Sequence, residues 1–273
     1  MKANKIERKA GKRSVLAFLA LILLAALLGG VAFAYTKLRD IYLEQCVITD
    51  ATEQVAITSG KLVKADVIAG MFGLTNGANL ARIDYGARRE KCLREQPAIR
   101  SLSITRHLPD RIEISVVERT PEVRLNLVKS KNETGKVADA DGIVFRSFRG
   151  TGTLPVIREA AEKATPPGKK LPERALAALR LIEVASDTEF ADLRILEVDA
   201  TPPDYLVATF GNYARAKIAW EGMNNPTAAN QKNLVERLRQ LRDAMRTKAA
   251  IGIGVWNATM PNKVFADTKD KIL

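Results

Sequence analysis

Between Ser14 and Tyr35 the chain carries no charged residue and is almost wholly apolar. At ~1.5 Å per residue such a run reaches across the ~30 Å hydrocarbon core of a bilayer as a single helix. Lys2, Lys5, Arg8, Lys9, Lys12 and Arg13 precede it, against the one acid Glu7. Lys and Arg beside a spanning helix stay on the cytoplasmic side. The pattern therefore predicts a cytoplasmic tail over residues 1–13 and a transmembrane helix over 14–36 that meets lipid from Ser14 to Tyr35, with the remainder of the chain outside the cytoplasm. Ala32-Phe33-Ala34 also fits the small-x-small form of a signal-peptidase site, and cleavage there would release a secreted protein. The length of the apolar run, and the charges that resume at Lys37, Arg39 and Asp40, favour an uncleaved anchor.

Beyond a connector expected over 37–52, the periodicity changes every few residues. Residues 54–58 alternate and read as a strand. Val63, Val67, Ile68, Met71 and Phe72 fall on one helical face that Gly73 ends, and Thr75-Asn76-Gly77 is a turn. A second helix over about 84–95 has Asp84 as N-cap, a charged face of Arg88, Arg89, Lys91 and Glu95, and stops before Pro97. Residues 99–106 and 111–118 alternate around Leu108-Pro109-Asp110, with Leu102 and Ile104 facing Ile112, Ile114 and Val116. One strand, two helices and a hairpin make a small α+β unit. After Thr120-Pro121 strands dominate. Residues 123–128 and 143–148 flank the hairpin signal Asp139-Ala140-Asp141-Gly142. A Pro/Gly/Lys-rich loop covers 163–170. A helix over 172–186 turns Ala175, Leu176, Leu179 and Ile182 inward. Strands are expected at 193–198, 205–210 and 215–220. An amphipathic helix over 228–245 aligns Leu234, Leu238, Leu241 and Met245. Final strands are expected near 250–256 and 263–266.

The 273 residues suffice for two domains beyond the anchor. A net charge of +12 raises nucleic-acid binding, but much of the excess sits in the tail, and aromatic content is 5% with no basic stripe. The rest reads as a surface facing anionic headgroups and wall polymers, so no nucleic-acid partner is expected. Two cysteines, Cys46 and Cys92, and one histidine, His107, exclude a metal site built on several such ligands. The cysteines could pair in an oxidising compartment. Alternatively, Cys92, on the apolar face of its helix, is a small buried hydrophobe.

No catalytic constellation emerges. His107 reads as a turn or surface residue rather than a general base. Asp139 and Asp141 belong to turn geometry, and Glu236 and Asp243 to a solvated helix face with Arg237, Arg239 and Arg242. Gly252-Ile253-Gly254 lacks the helix that a phosphate-cradling loop requires. Neither an enzyme, a cofactor nor a small-molecule substrate is expected.

Several short motifs then fall into a recognisable order. Gly73-Leu74, Gly77-Ala78-Asn79-Leu80 and Ile83-Asp84 are succeeded by Pro97-Ala98-Ile99, by Arg106 to Ile112, and by Glu118-Arg119-Thr120-Pro121. Residues 137–145, then Leu154-Pro155, open the next unit. With the basic tail and single anchor, this order resembles the FtsQ/DivIB family of bacterial cell-division proteins. The departures are Arg158, near a position where the family often has glycine, and a loose glycine turn at Ser59-Gly60. The resemblance implies an α+β fold with a POTRA domain over 53–120, an FtsQ-type mixed β domain with packed helices over 121–267, and a short tail over 268–273. It implies a single-pass protein of the inner membrane at the septum, with its outer domains periplasmic or extracytoplasmic. The implied partners are membrane division proteins of the FtsB/DivIC and FtsL types, in a complex that regulates septal peptidoglycan synthesis. The positions matching the family's partner-binding end are Ile253, Val255, Trp256, Asn257, Val264 and Phe265. Trp256 is the leading anchor because aromatic side chains dominate interface energies. Strand alternation equally allows Ile253 and Val255 to face the core. The competing reading is an exported POTRA-bearing adaptor in outer-membrane assembly or secretion.

Overall fold

The computed structural model describes residues 3–127, 133–147, 150–160, 164–225, 227–247 and 254–267, with side chains from residue 18 onward. It is an α+β protein with an apolar N-terminal helix, and packing divides it into two compact units. One comprises residues 1–58, 65–89 and 103–115; the other comprises 59–64, 90–102 and 116–273.

The first element is the long helix α1 (Ala3–Gln45). Over Phe18–Gln45 it is long and apolar enough to cross a membrane, and no part of that window is buried. The predicted connector is thus not a loop at first: the helix continues to Gln45, and only then does the chain turn. Helix α2 (Ala51–Gln54) comes next, capped by Asp50, whose carboxylate accepts from Thr52 N at 2.8 Å. Strand β1 (Val55–Thr58) leads to helices α3 (Ala65–Phe72) and α4 (Tyr85–Glu95), then to β2 (Ile99–His107) and β3 (Arg111–Glu118). Their three-stranded sheet has the order β1-β3-β2, with β1 parallel to β3 in the register Val55↔Ile112. The predicted caps and inward faces are present. Asp84 Oδ1 accepts from Ala87 N at 3.0 Å, and Ile68, Phe72, Leu102, Ile112, Ile114 and Val116 are buried. Val67 is the exception on its helix face and is exposed. Cys46 and Cys92 are both free thiols and both fully buried.

Gly60 and Glu118 explain one departure from the family pattern. The Glu118 carboxylate accepts from three successive backbone amides, those of Lys61, Leu62 and Val63, at 2.7–2.8 Å. A Cβ on Gly60 would collide with that carboxylate. The glycine is therefore required for close approach of a side chain, rather than for a tight turn.

The second sheet has nine strands in the order β12-β11-β10-β9-β8-β7-β4-β5-β6. They are β4 (Val123–Leu127), β5 (Lys136–Ala138), β6 (Val144–Arg146), β7 (Val156–Glu159), β8 (Ile195–Asp199), β9 (Tyr205–Phe210), β10 (Arg215–Ala219), β11 (Val255–Ala258) and β12 (Phe265–Ala266). Two of these, β5 and β7, have no counterpart among the strands expected from periodicity. β5 lies between β4 and β6, so the Asp139–Gly142 turn joins β5 to β6 (Ala138↔Val144) and not β4 to β6. Helices α5 (Glu173–Ala185) and α6 (Ala228–Arg246) pack on the sheet through Leu179, Ile182, Leu234, Leu238 and Leu241, against Ile157, Val198, Ala208 and Ile218. Arg158, on β7, pairs with Glu197 at 2.9 Å and donates to the Leu127 carbonyl at 3.1 Å, ties that glycine could not make.

The half-buried Glu118 and the buried Glu159 can both be tested by substitution. Gly60→Ala displaces Glu118 from three charged hydrogen bonds and should cost about 2 kcal/mol, read as a lower midpoint in chemical denaturation. Burial pushes the Glu159 carboxyl above its ordinary range, although Thr165 and Lys136 oppose this. Its raised folded value means that stability is fully present below the unfolded pKa and is lost as pH rises through the folded one. Melting curves from about pH 4 to pH 8 should show the native chain losing stability relative to Glu159→Gln as pH rises, and parallel curves would refute the assignment.

Candidate partner-binding edge

A sheet edge displays unpaired N–H and C=O groups unless something covers it. At one end of the nine-stranded sheet the chain covers its own edge. Val144 N donates to Lys169 O at 2.9 Å, Gly168 N donates to Val144 O at 2.7 Å, and Ile143 bridges Lys170. Thus the outer side of β6 is covered at Val144. At the other end β10, β11 and β12 lie side by side. β11 is parallel to β10 (Ala216↔Trp256) and antiparallel to β12 (Trp256↔Ala266, Asn257↔Phe265). Among the described residues, β12 is the last strand.

This arrangement sorts the sequence-predicted positions. Trp256 and Val255 are buried, at 5% and 6% exposure, and Trp256 belongs to the main core with Ala216 and Ile218. β11 is paired on both sides, so neither its backbone nor its tryptophan is displayed. Asn257 is half-buried and accepts from Thr259 N (3.1 Å) and Oγ1 (2.7 Å), which ends the strand. Val264 is half-buried against the core. Phe265 is 42% exposed on the edge strand itself. Ile253 lies outside the described residues.

Asp267 holds β12 in place, a role that no sequence pattern marks. Its N–H donates to Val255 O at 2.9 Å, and its carboxylate lies 3.0 Å from Lys217 Nζ, with both side chains largely buried. Lys217 also sits 5.6 Å above the Tyr205 ring. Because the Asp267 amide points inward, alternation turns the Ala266 amide outward, away from β11.

A groove of about 450 Å³ beside α5 and α6 is lined by Val184, Phe190, Met223 and Leu234, with Glu183 and Glu189 at its polar side. Hydrogen bonding from Arg239 holds the Glu189 carboxyl below its usual range, so it stays ionised and paired. No histidine or cysteine lines this groove. His107 is on the β2–β3 hairpin, half-exposed, with Nε2 3.5 Å from Glu113.

An apolar helix long enough to cross a membrane, a strand–two-helix–hairpin unit and a mixed sheet define a POTRA-type protein. Residues 51–119 match the family profile described as POTRA domain, FtsQ-type. The match supports an FtsQ/DivIB-family protein. No curated protein matches the chain significantly.

The burial contrast is directly testable. Trp256→Ala should cost about 3–5 kcal/mol by leaving a core cavity, whereas Phe265→Asp should change stability by less than ~0.5 kcal/mol. Equal losses in urea denaturation would refute this division.

Proposed function

We propose that the protein is a bitopic, non-catalytic scaffold of the bacterial divisome. In this reading its N-terminus is cytoplasmic, its domains lie outside the inner membrane at the septum, and it helps to control septal peptidoglycan synthesis. The observation that carries the reading is the FtsQ-type POTRA match in a chain with a spanning helix. Its working contact is an extended segment of a small coiled-coil division protein of the FtsB/DivIC type, itself linked to an FtsL-type protein. That segment adds beside β12. Main-chain bonds to the Ala266 amide and its neighbours supply affinity, and Phe265 supplies an apolar contact. Trp256, Val255 and Asn257 support the edge from behind. Val264 packs beneath Phe265's strand.

Depletion should give filaments with unsplit septa; normal septation with a secretion defect would favour an envelope adaptor instead. Ala266→Pro removes the outward N–H at a position where an edge strand tolerates proline. Together with Phe265→Asp, it should weaken capture of the coiled-coil partner by about tenfold or more, equivalent to ~1.4 kcal/mol, while the melting temperature holds. Undiminished pull-down by both variants would remove β12 from the contact.

A further inference from the structure

Helix C-termini leave their last carbonyls without intrahelical partners, and water usually takes them. The end of α1 is different. The Leu43 carbonyl accepts from the Asn79 side-chain amide at 2.6 Å and from Cys46 N at 3.2 Å. The next residues then pair with the loop that presents Asn79. Leu80 N donates to Cys46 O, Ile48 N to Ala78 O, and Gly77 N to Ile48 O, each at 2.8 Å, around an antiparallel bridge of Val47 with Asn79. The Asn76 side chain accepts from Ala51 N at 2.9 Å, and Gln54 Oε1 accepts from Thr49 N at 2.7 Å and Asp50 N at 2.9 Å. Cys46, Ile48 and Leu80 are buried to 1% exposure or less. Gly77 holds φ +88°, a conformation that side chains other than glycine's rarely adopt.

The geometry points to a locked joint between the membrane anchor and the POTRA unit. At ~1.5 Å per residue, the helix carries this joint ~15 Å beyond Tyr35, clear of the hydrocarbon. No stretch between the end of α1 and the start of β1 is long enough and free enough to act as a swivel, because each part is bonded. The anchor and the 76–80 loop therefore turn together. The tilt and rotation of the spanning helix set the orientation of the part of the POTRA unit that it docks on. In this joint the Gly77-Ala78-Asn79-Leu80 segment is a clamp on the anchor, and Asn79 is its two-sided pin. Its Nδ2 holds Leu43, and its Oδ1 accepts from Ala81 N at 3.0 Å, capping the 3-10 turn over Leu80–Arg82.

The native thiols report on the joint. The full-length protein in membranes is treated with a maleimide, and modification of Cys46 and Cys92 is tracked by mass spectrometry. If the joint is closed, both thiols react at least ~100-fold more slowly than in urea, since each requires an opening of the fold. A Cys46 that reacts at the urea rate while Cys92 stays protected would overturn the proposal. Asn79→Asp keeps the Oδ1 cap on Ala81 but loses the donor to Leu43. It should speed Cys46 modification at least ~10-fold with Cys92 unchanged. An unchanged Cys46 rate would refute the role of Asn79. If that variant unfolds outright, both cysteines accelerate together, and the native-chain comparison still decides. As a direct reading of rigidity, spin labels at Lys37 and Asp66 should give one narrow distance distribution; a broad one would show a swivel and defeat the proposal.

Discussion

Unpaired backbone at the end of a sheet must find a partner, a cover or water, and that requirement organises this protein. The nine-stranded sheet meets it differently at its two ends. Beside β6 the Gly168–Lys170 segment of the same chain gives cover: it bonds both backbone groups of Val144 and bridges Ile143. Beside β12 no described residue does so. This leaves β12 as the outermost described strand at that end of the sheet, and the Lys217–Asp267 pair fastens it. Such a pair, largely shielded from water, loses more when one member is removed than the intact pair contributes. Its value here is geometric: it fixes a two-residue strand that would be marginal alone.

The same use of side chains to satisfy backbone recurs at the other junctions. Glu118 satisfies three amides of the 61–63 turn. The next residue, Arg119, donates to the Pro97 carbonyl at 3.1 Å and to the buried Asp139 carboxylate at 2.6 Å. Asp139 in turn accepts from Ile143 N at 2.8 Å, which shapes the β5–β6 turn. Adjacent residues at the end of the FtsQ-type match thus fasten chain segments on both sides of themselves. Their position in the Glu118-Arg119-Thr120-Pro121 segment gives that short motif a physical role.

Much of this is legible in the sequence, and the gaps have physical causes. The spanning helix, α4 with its Asp84 cap, β9 and α6 are visible in periodicity and capping, which are local. The continuation of α1 to Gln45 is not, because the charged residues at 37–45 read as a connector and the cap, Asn79, comes from a distant segment. β5 and β7 are too short to show alternation. For the candidate site, the sequence points to the last two strands; of its positions, Trp256 is buried in the core and Phe265 is exposed on β12. Period two shows that Trp256 and Asn257 face opposite ways, but not which face the helices cover. Nor does a single strand reveal that another, β12, lies outside it. Phe265 is among the positions the sequence offers, but its advantage over Trp256 is topological.

Hydrogen exchange at the outermost strand gives the most direct measure of the proposed edge. In the full-length protein in lipid, the amides of Val264 and Ala266 are monitored with and without the coiled-coil partner. An available edge predicts fast exchange in the protein alone and strong protection on binding, while the β6 amides stay unchanged. Protection already present without the partner, or binding that leaves these two amides exchanging freely, would contradict it.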